Sequence, residues 1–138
     1  MSEPFVADSS IGLAWVHPTL ANELTARLLD EVEHGAAVHV PGVWPLEVGN
    51  AMLTAVRRKL ITGAQRKSAL ALLSRLNLLV DGDTTALAWT KLSDLATRHA
   101  LSIYDAAYLE LALRKRLPLA SRDEPLRAAA RKAGVKVW

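Results

Sequence analysis

Four short apolar runs, Phe5-Val6-Ala7, Val38-His39-Val40, Leu78-Leu79-Val80 and Pro118-Leu119-Ala120, are each followed by an acid or a turn-forming residue. Segments with helical periodicity separate them. Runs this short, without polar alternation, are characteristic of strands buried on both faces. Strands alternating with helices then imply right-handed crossovers and a mainly parallel central sheet covered on both sides, a three-layer α/β/α sandwich. Ligands of such folds bind beyond the carboxyl ends of the strands. The positions where strand hands over to helix are therefore the ones to inspect.

Leu20, Leu24, Leu28 and Val32 recur every four residues and predict an amphipathic helix that stops near Gly35. Pro45 suits a first helical turn, with Leu46, Leu53, Val56 and Leu60 on the buried side before Gly63. Ala69, Leu72, Leu73 and Leu76 form the stripe of the next helix, and a segment from Thr84 to His99 carries Leu87, Leu92 and Leu95. Ser102 opens a helix lined by Ile103, Ala107 and Leu111; Asp123 opens another that ends at Gly134, and Val135 to Trp138 reads as a fifth strand. No repeat or linker divides the chain, so residues 1–138 are expected to form one domain.

Composition excludes several chemistries. Cysteine is absent, and His17, His34, His39 and His99 show no zinc-ligand spacing. No apolar run approaches the ~18 residues that span a bilayer, and Glu3 with Asp8 interrupts a signal-peptide pattern. A soluble, cytoplasmic protein without a membrane partner is expected. The formal charge of +3 permits a nucleic-acid partner without requiring one.

Asp8, Glu47, Asp105 and Asp123 all fall at strand-to-helix or loop-to-helix handovers. Each has a structural explanation: Asp8 and Asp123 as N-caps, Glu47 in the first turn after Pro45, and Ser102-Ile103-Tyr104-Asp105 as a capping box. Their joint placement points further. If the first strand is central, the loops after the first and fourth strands meet at the switch point and bring Asp8 to Asp123. Small and apolar neighbours around Asp8 and Asp105 would bury charge, and several ionised acids persist together only with a compensating cation. Hard Mg²⁺ or Mn²⁺ suits an all-oxygen set and the hydrolysis of a phosphodiester. Glu110, five residues after Asp105, points about 140° away on a helix and reads as a solvent or interface residue.

The segments Phe5-Val6-Ala7-Asp8-Ser9-Ser10, Glu47-Val48-Gly49-Asn50-Ala51, Tyr104 to Ala112 and Leu119 to Leu126 resemble, in order, the four signature regions of PIN-domain proteins, and most of all the VapC-type toxins of toxin–antitoxin pairs. The resemblance covers nearly the whole chain. It implies an α/β/α sandwich and an Mg²⁺- or Mn²⁺-dependent endoribonuclease acting on single-stranded RNA. By the same resemblance Asp8, Glu47, Asp105 and Asp123 are the metal-binding acids, Ser9 and Asn50 support them, and Ser121 occupies a position that in the family carries threonine or serine. A cognate antitoxin and a homodimer are the implied partners.

Arg57-Arg58-Lys59 and Arg114-Lys115-Arg116 end two helices, where cations complement the helix dipole; Arg57 and Arg58 are also candidate RNA contacts. Trp15, Trp44 and Trp89 are expected in core or dimer packing, and the histidines on the surface or in loops. Three other functions compete: a noncatalytic RNA- or antitoxin-binding module, a solitary RNA-processing nuclease, and a phosphatase with an aspartate nucleophile. The last would need an acid two positions after Asp8, where Ser10 stands.

Overall fold

A computed structural model describes residues 3–138. Strands β1 (Phe5–Ala7), β2 (Val38–Pro41), β3 (Leu78–Asp81) and β4 (Leu119–Ala120) form one parallel sheet in the order β3-β2-β1-β4. The first strand is internal because it is apolar throughout, and all three of its residues are fully buried. The chain steps outward from β1 to β2 to β3, then returns to lay β4 on the other side of β1. That reversal creates a switch point between the carboxyl ends of β1 and β4.

Among the described residues, seven α-helices flank the sheet: α1 (Ser9–Val16), α2 (Glu23–Glu33), α3 (Val43–Arg57), α4 (Gly63–Arg75), α5 (Lys91–His99), α6 (Ile103–Lys115) and α7 (Glu124–Lys132). Helices α1 to α4 contact one another, with α1 against β1 and α3 against β2; α6 lies across β1, β2 and β4 with α5 and α7 beside it. This is the expected α/β/α sandwich. Helix α6 is buried from Ala106 to Ala112, more completely than its stripe of Ile103, Ala107 and Leu111 implied.

Several expectations need correction. The predicted fifth strand contributes a single parallel bridge, Val137 to Leu119, flanked by Leu119 N–H to the Lys136 carbonyl at 2.8 Å and Trp138 N–H to the Leu119 carbonyl at 3.0 Å. The segment from Thr84 to His99 is not one helix, because the Asp81 carboxylate accepts from the Asp83 amide and the Thr84 hydroxyl. These local bonds favour a 3₁₀ turn at Thr85–Leu87, and α5 starts only at Lys91. Trp89, in the intervening turn, is 94% exposed and outside the core, whereas Trp15 and Trp44 are buried. In α3 the buried residues are Trp44, Val48, Met52 and Ala55, while Leu46 is 74% exposed and Leu53 and Leu60 also face out. The helix is apolar on both faces, so its periodicity cannot choose between them.

Trp44 makes that choice. Its indole Nε1 donates to the Asp8 carbonyl at 3.2 Å, and its ring lies against Gly12 of α1. A Cβ on Gly12 would stand 2.5 Å from Trp44 Cζ2, so only glycine admits the indole. The contact fixes the rotation of α3 and turns Glu47, three residues on, toward the end of β1.

Glu110 departs furthest from its solvent or interface expectation. It is 3% exposed and accepts from Arg114 Nε and Nη2, both at 2.9 Å. Arg114 also reaches β3, donating to the two Asp81 oxygens at 2.9 and 2.8 Å. The guanidinium and its hydrogen bonds hold the Asp81 carboxyl well below the usual carboxylate range. Glu110 is buried because α6 lies across the sheet, and the intrahelical partner four residues on neutralises it.

Gly12→Ala is expected to destabilise the fold by about 1–3 kcal/mol through overpacking against Trp44, despite alanine's helix preference of about 1 kcal/mol. Urea unfolding should show a lower midpoint at unchanged slope. Arg114→Ala, which strands two buried carboxylates, should cost about 3 kcal/mol near neutrality. Because the Asp81 pKa is depressed in the folded state, its contribution is present above the unfolded value of 3.8 and lost as pH falls below it, so the deficit should shrink in acid urea titrations.

Candidate functional site

Asp8 directly follows β1, is 4% exposed, and caps α1 by accepting the Ile11 N–H at 3.3 Å. Two hydroxyls also hold it. Ser10 Oγ donates to Oδ1 and Ser121 Oγ to Oδ2, each at 2.5 Å. The same hydroxyl oxygens accept from the loop after β4, Ser10 Oγ from the Arg122 N–H and Ser121 Oγ from the Asp123 N–H, both at 3.0 Å. Two serines thus stitch the ends of β1 and β4 together across the switch point. Asp123 caps α7 through the Leu126 N–H at 3.0 Å.

Glu47 and Asp105 enter from the helices that flank this junction. Glu47 is the fifth residue of α3, two positions deeper than a start at Pro45 implied, and accepts a hydrogen bond from the Tyr108 hydroxyl. Asp105 is the third residue of α6, whose N-cap Ser102 accepts the Asp105 N–H at 3.0 Å. Both carboxylates are half-buried.

Burial pushes the Asp8, Glu47 and Asp105 carboxyls above their ordinary values. Hydrogen bonds oppose the shift, from Ser10, Ser121 and Ile11 at Asp8, from Tyr108 at Glu47 and from Ser102 at Asp105. Mutual repulsion adds to it: Asp123 acts on Asp8 and Asp105, and Asp105 and Asp8 act on Glu47. The four acids therefore share one electrostatic neighbourhood. Among the described residues, none of them forms an ion pair with lysine, arginine or histidine.

The supporting residues sort differently from the resemblance. Ser121 bonds Asp8 directly, but Ser9 bonds none of the acids, and Asn50 is exposed. Sequence reasoning missed Ser10 and Tyr108 as partners of the acids. Ser10 could have been found as the hydroxyl two residues after a capping acid. Tyr108 could have been found as the lone polar group in the Ala-Ala-Tyr-Leu run that follows Asp105. Arg57 and Arg58 lie at the far end of α3, about 15 Å along the helix from Glu47.

The donor set consists of carboxylates and hydroxyls without sulfur or imidazole, which fits a hard divalent cation. Among the described residues no three of these acids converge as a ready-made metal cage. The fit therefore rests on the all-oxygen chemistry and the uncompensated negative charge.

A parallel α/β sandwich with a cluster of acids at its switch point defines the class. The chain belongs to the PIN-domain family, whose model matches residues 5–132. Its fold is similar to that of PAE2754 from Pyrobaculum aerophilum (20% identity, 98% of this chain and 83% of that one, TM-score 0.72). VapBC2 from Rickettsia felis bound to a DNA fragment from its promoter is also similar (12% identity, 98% and 97% coverage, TM-score 0.68). So is a toxin-antitoxin complex from Klebsiella pneumoniae (18% identity, 86% of each chain, TM-score 0.57). No curated protein matches the chain in sequence.

The raised Asp8 pKa carries a stability consequence. The folded protein binds this proton more tightly than the unfolded chain, so the associated stability is present below 3.8 and is lost as pH rises through the folded value. An asparagine at this position would keep a cap and an acceptor without the charge. In chelator at about pH 7, Asp8→Asn should therefore unfold at higher urea than the wild type, and the advantage should vanish at about pH 4.

Proposed function

We propose that the protein is a divalent-metal-dependent endoribonuclease and the toxin of a toxin–antitoxin pair. One contrast carries the reading. The same chain neutralises its buried Asp81 and Glu110 with Arg114, yet leaves Asp8, Glu47, Asp105 and Asp123 together without a protein cation among the described residues. Burial and repulsion make that arrangement costly unless an external positive charge completes it. PIN proteins are generally nucleases, and the likeness to a toxin-antitoxin complex supports the toxin role.

Asp8, Glu47, Asp105 and Asp123 would hold Mg²⁺ or Mn²⁺. When bound, such an ion supplies Lewis-acid chemistry, acidifying water and neutralising charge on a phosphodiester. The chain's own groups do the positioning. Ser10 and Ser121 fix both oxygens of Asp8 and so limit how it can turn, and Tyr108 does the same for one oxygen of Glu47. Burial and mutual repulsion raise the carboxyl pKa values, and a bound cation would act in the opposite direction by favouring the charged forms. Glu47, Asp105 and Asp123, less buried than Asp8, are the acids within reach of a substrate. Arg57 and Arg58 extend a basic surface for the RNA backbone one helix length away. The partners are an RNA substrate, an antitoxin and a second copy of the chain, and the compartment is the cytoplasm. Among the described residues no helix is long and apolar enough to cross a membrane.

Labelled single-stranded RNA incubated with the protein should be cut internally with Mg²⁺ or Mn²⁺ and left intact with chelator. Asp8→Asn and Glu47→Gln should each lower the rate by at least about a hundredfold, the scale of losing one charge-stabilising group. RNA that is bound but never cut in either metal would instead identify a noncatalytic module.

A further inference from the structure

Tyr108 has a place in the molecule that packing alone does not account for. Its ring belongs to the core, 1% exposed on a helix whose neighbours Ala106, Ala107, Leu109 and Leu111 are apolar and buried. A phenylalanine would fill that space. The hydroxyl is the only polar part of the side chain, and it emerges at the acidic pocket, donating to Glu47 Oε1.

A phenol has one proton to donate and lone pairs to accept with. With that proton on Glu47, the bond runs from Tyr108 to Glu47. Tyr108 lies one turn after Asp105 on α6, and Glu47 stands on α3. The bond thus ties the helix that carries Asp105 to the helix that carries Glu47. Desolvation and the adjacent carboxylate push the phenol far above its ordinary value, so it remains a donor throughout the physiological range.

We propose that Tyr108 is a positioning residue of the acidic site, holding one oxygen of Glu47 through its hydroxyl so that the other is presented to a divalent cation. The inference rests on the reading of the four acids as a metal site and assigns that site a residue outside the carboxylate set. Hydrogen bonds to metal-ligating carboxylates fix their orientation, and removing one costs about 10- to 100-fold in metal affinity.

The test is Mn²⁺ binding by titration calorimetry on the full chain, paired with urea unfolding in chelator. Tyr108→Phe keeps the ring and removes only the hydroxyl. It is expected to weaken Mn²⁺ binding by at least about tenfold. In a Glu47→Gln background the further effect of Tyr108→Phe should disappear, since the two residues act as one unit. Wild-type Mn²⁺ affinity in a folded Tyr108→Phe protein would overturn the positioning role while leaving the metal site standing. A loss of equal size in the Glu47→Gln background would also overturn it, by showing that the hydroxyl acts on something other than Glu47. Failure of the wild type to bind Mn²⁺ would overturn the metal reading and this inference with it.

Discussion

Everything at the switch point depends on accommodating the Asp8 carboxyl at the end of a fully buried strand. Three hydrogen bonds address that problem, and two come from serines whose own oxygens are tied to the loop after β4. The carboxyl group therefore organises the junction as much as it is held by it. Without it, the two serines would lose the acceptors that draw them together across the ends of β1 and β4. Arg127 reinforces the same loop from behind, donating to the carbonyls of Ser121 and Trp138.

The molecule treats its buried acids in two ways, and the difference separates structure from function. Asp81 and Glu110 share one guanidinium, which depresses the Asp81 pKa and clamps α6 to the far edge of the sheet. Asp8, Glu47 and Asp105 receive only neutral donors, and their pKa values rise. Asp81 and the three raised acids thus oppose each other as pH falls, the first losing stability and the others recovering it. Under the proposed function, such a site would trade metal-free stability for affinity toward a cation.

Legibility in the sequence followed the strength of local signals. The strands and the acids were readable because a charge after an all-apolar run has few places to go except the carboxyl end of a buried strand. The amphipathic α2 was readable from its spacing of four, and Leu28 and Val32 are indeed buried. Helix α3 was not, since Leu46 and Leu53 on one face are as apolar as Val48 and Met52 on the other. Glu110 was misread because helical geometry relates it to Asp105 without revealing that the whole middle of α6 is covered. Ser9 was credited with direct contact to the acids, which in the structure belongs to Ser10.

The sequence by itself determined the strand–helix alternation, which follows from periodicity, and the family, which follows from four ordered segments that also single out the four acids. Only the tertiary structure decided which face of α3 turns inward, since the contact of Trp44 with Gly12 joins residues 32 positions apart and no local pattern encodes it. It alone decided which acids are neutralised and which are left to repel, because charge compensation depends on distances between elements rather than on spacing along the chain. It also joined Tyr108 to Glu47, two residues with no common motif, through a hydrogen bond between α6 and α3.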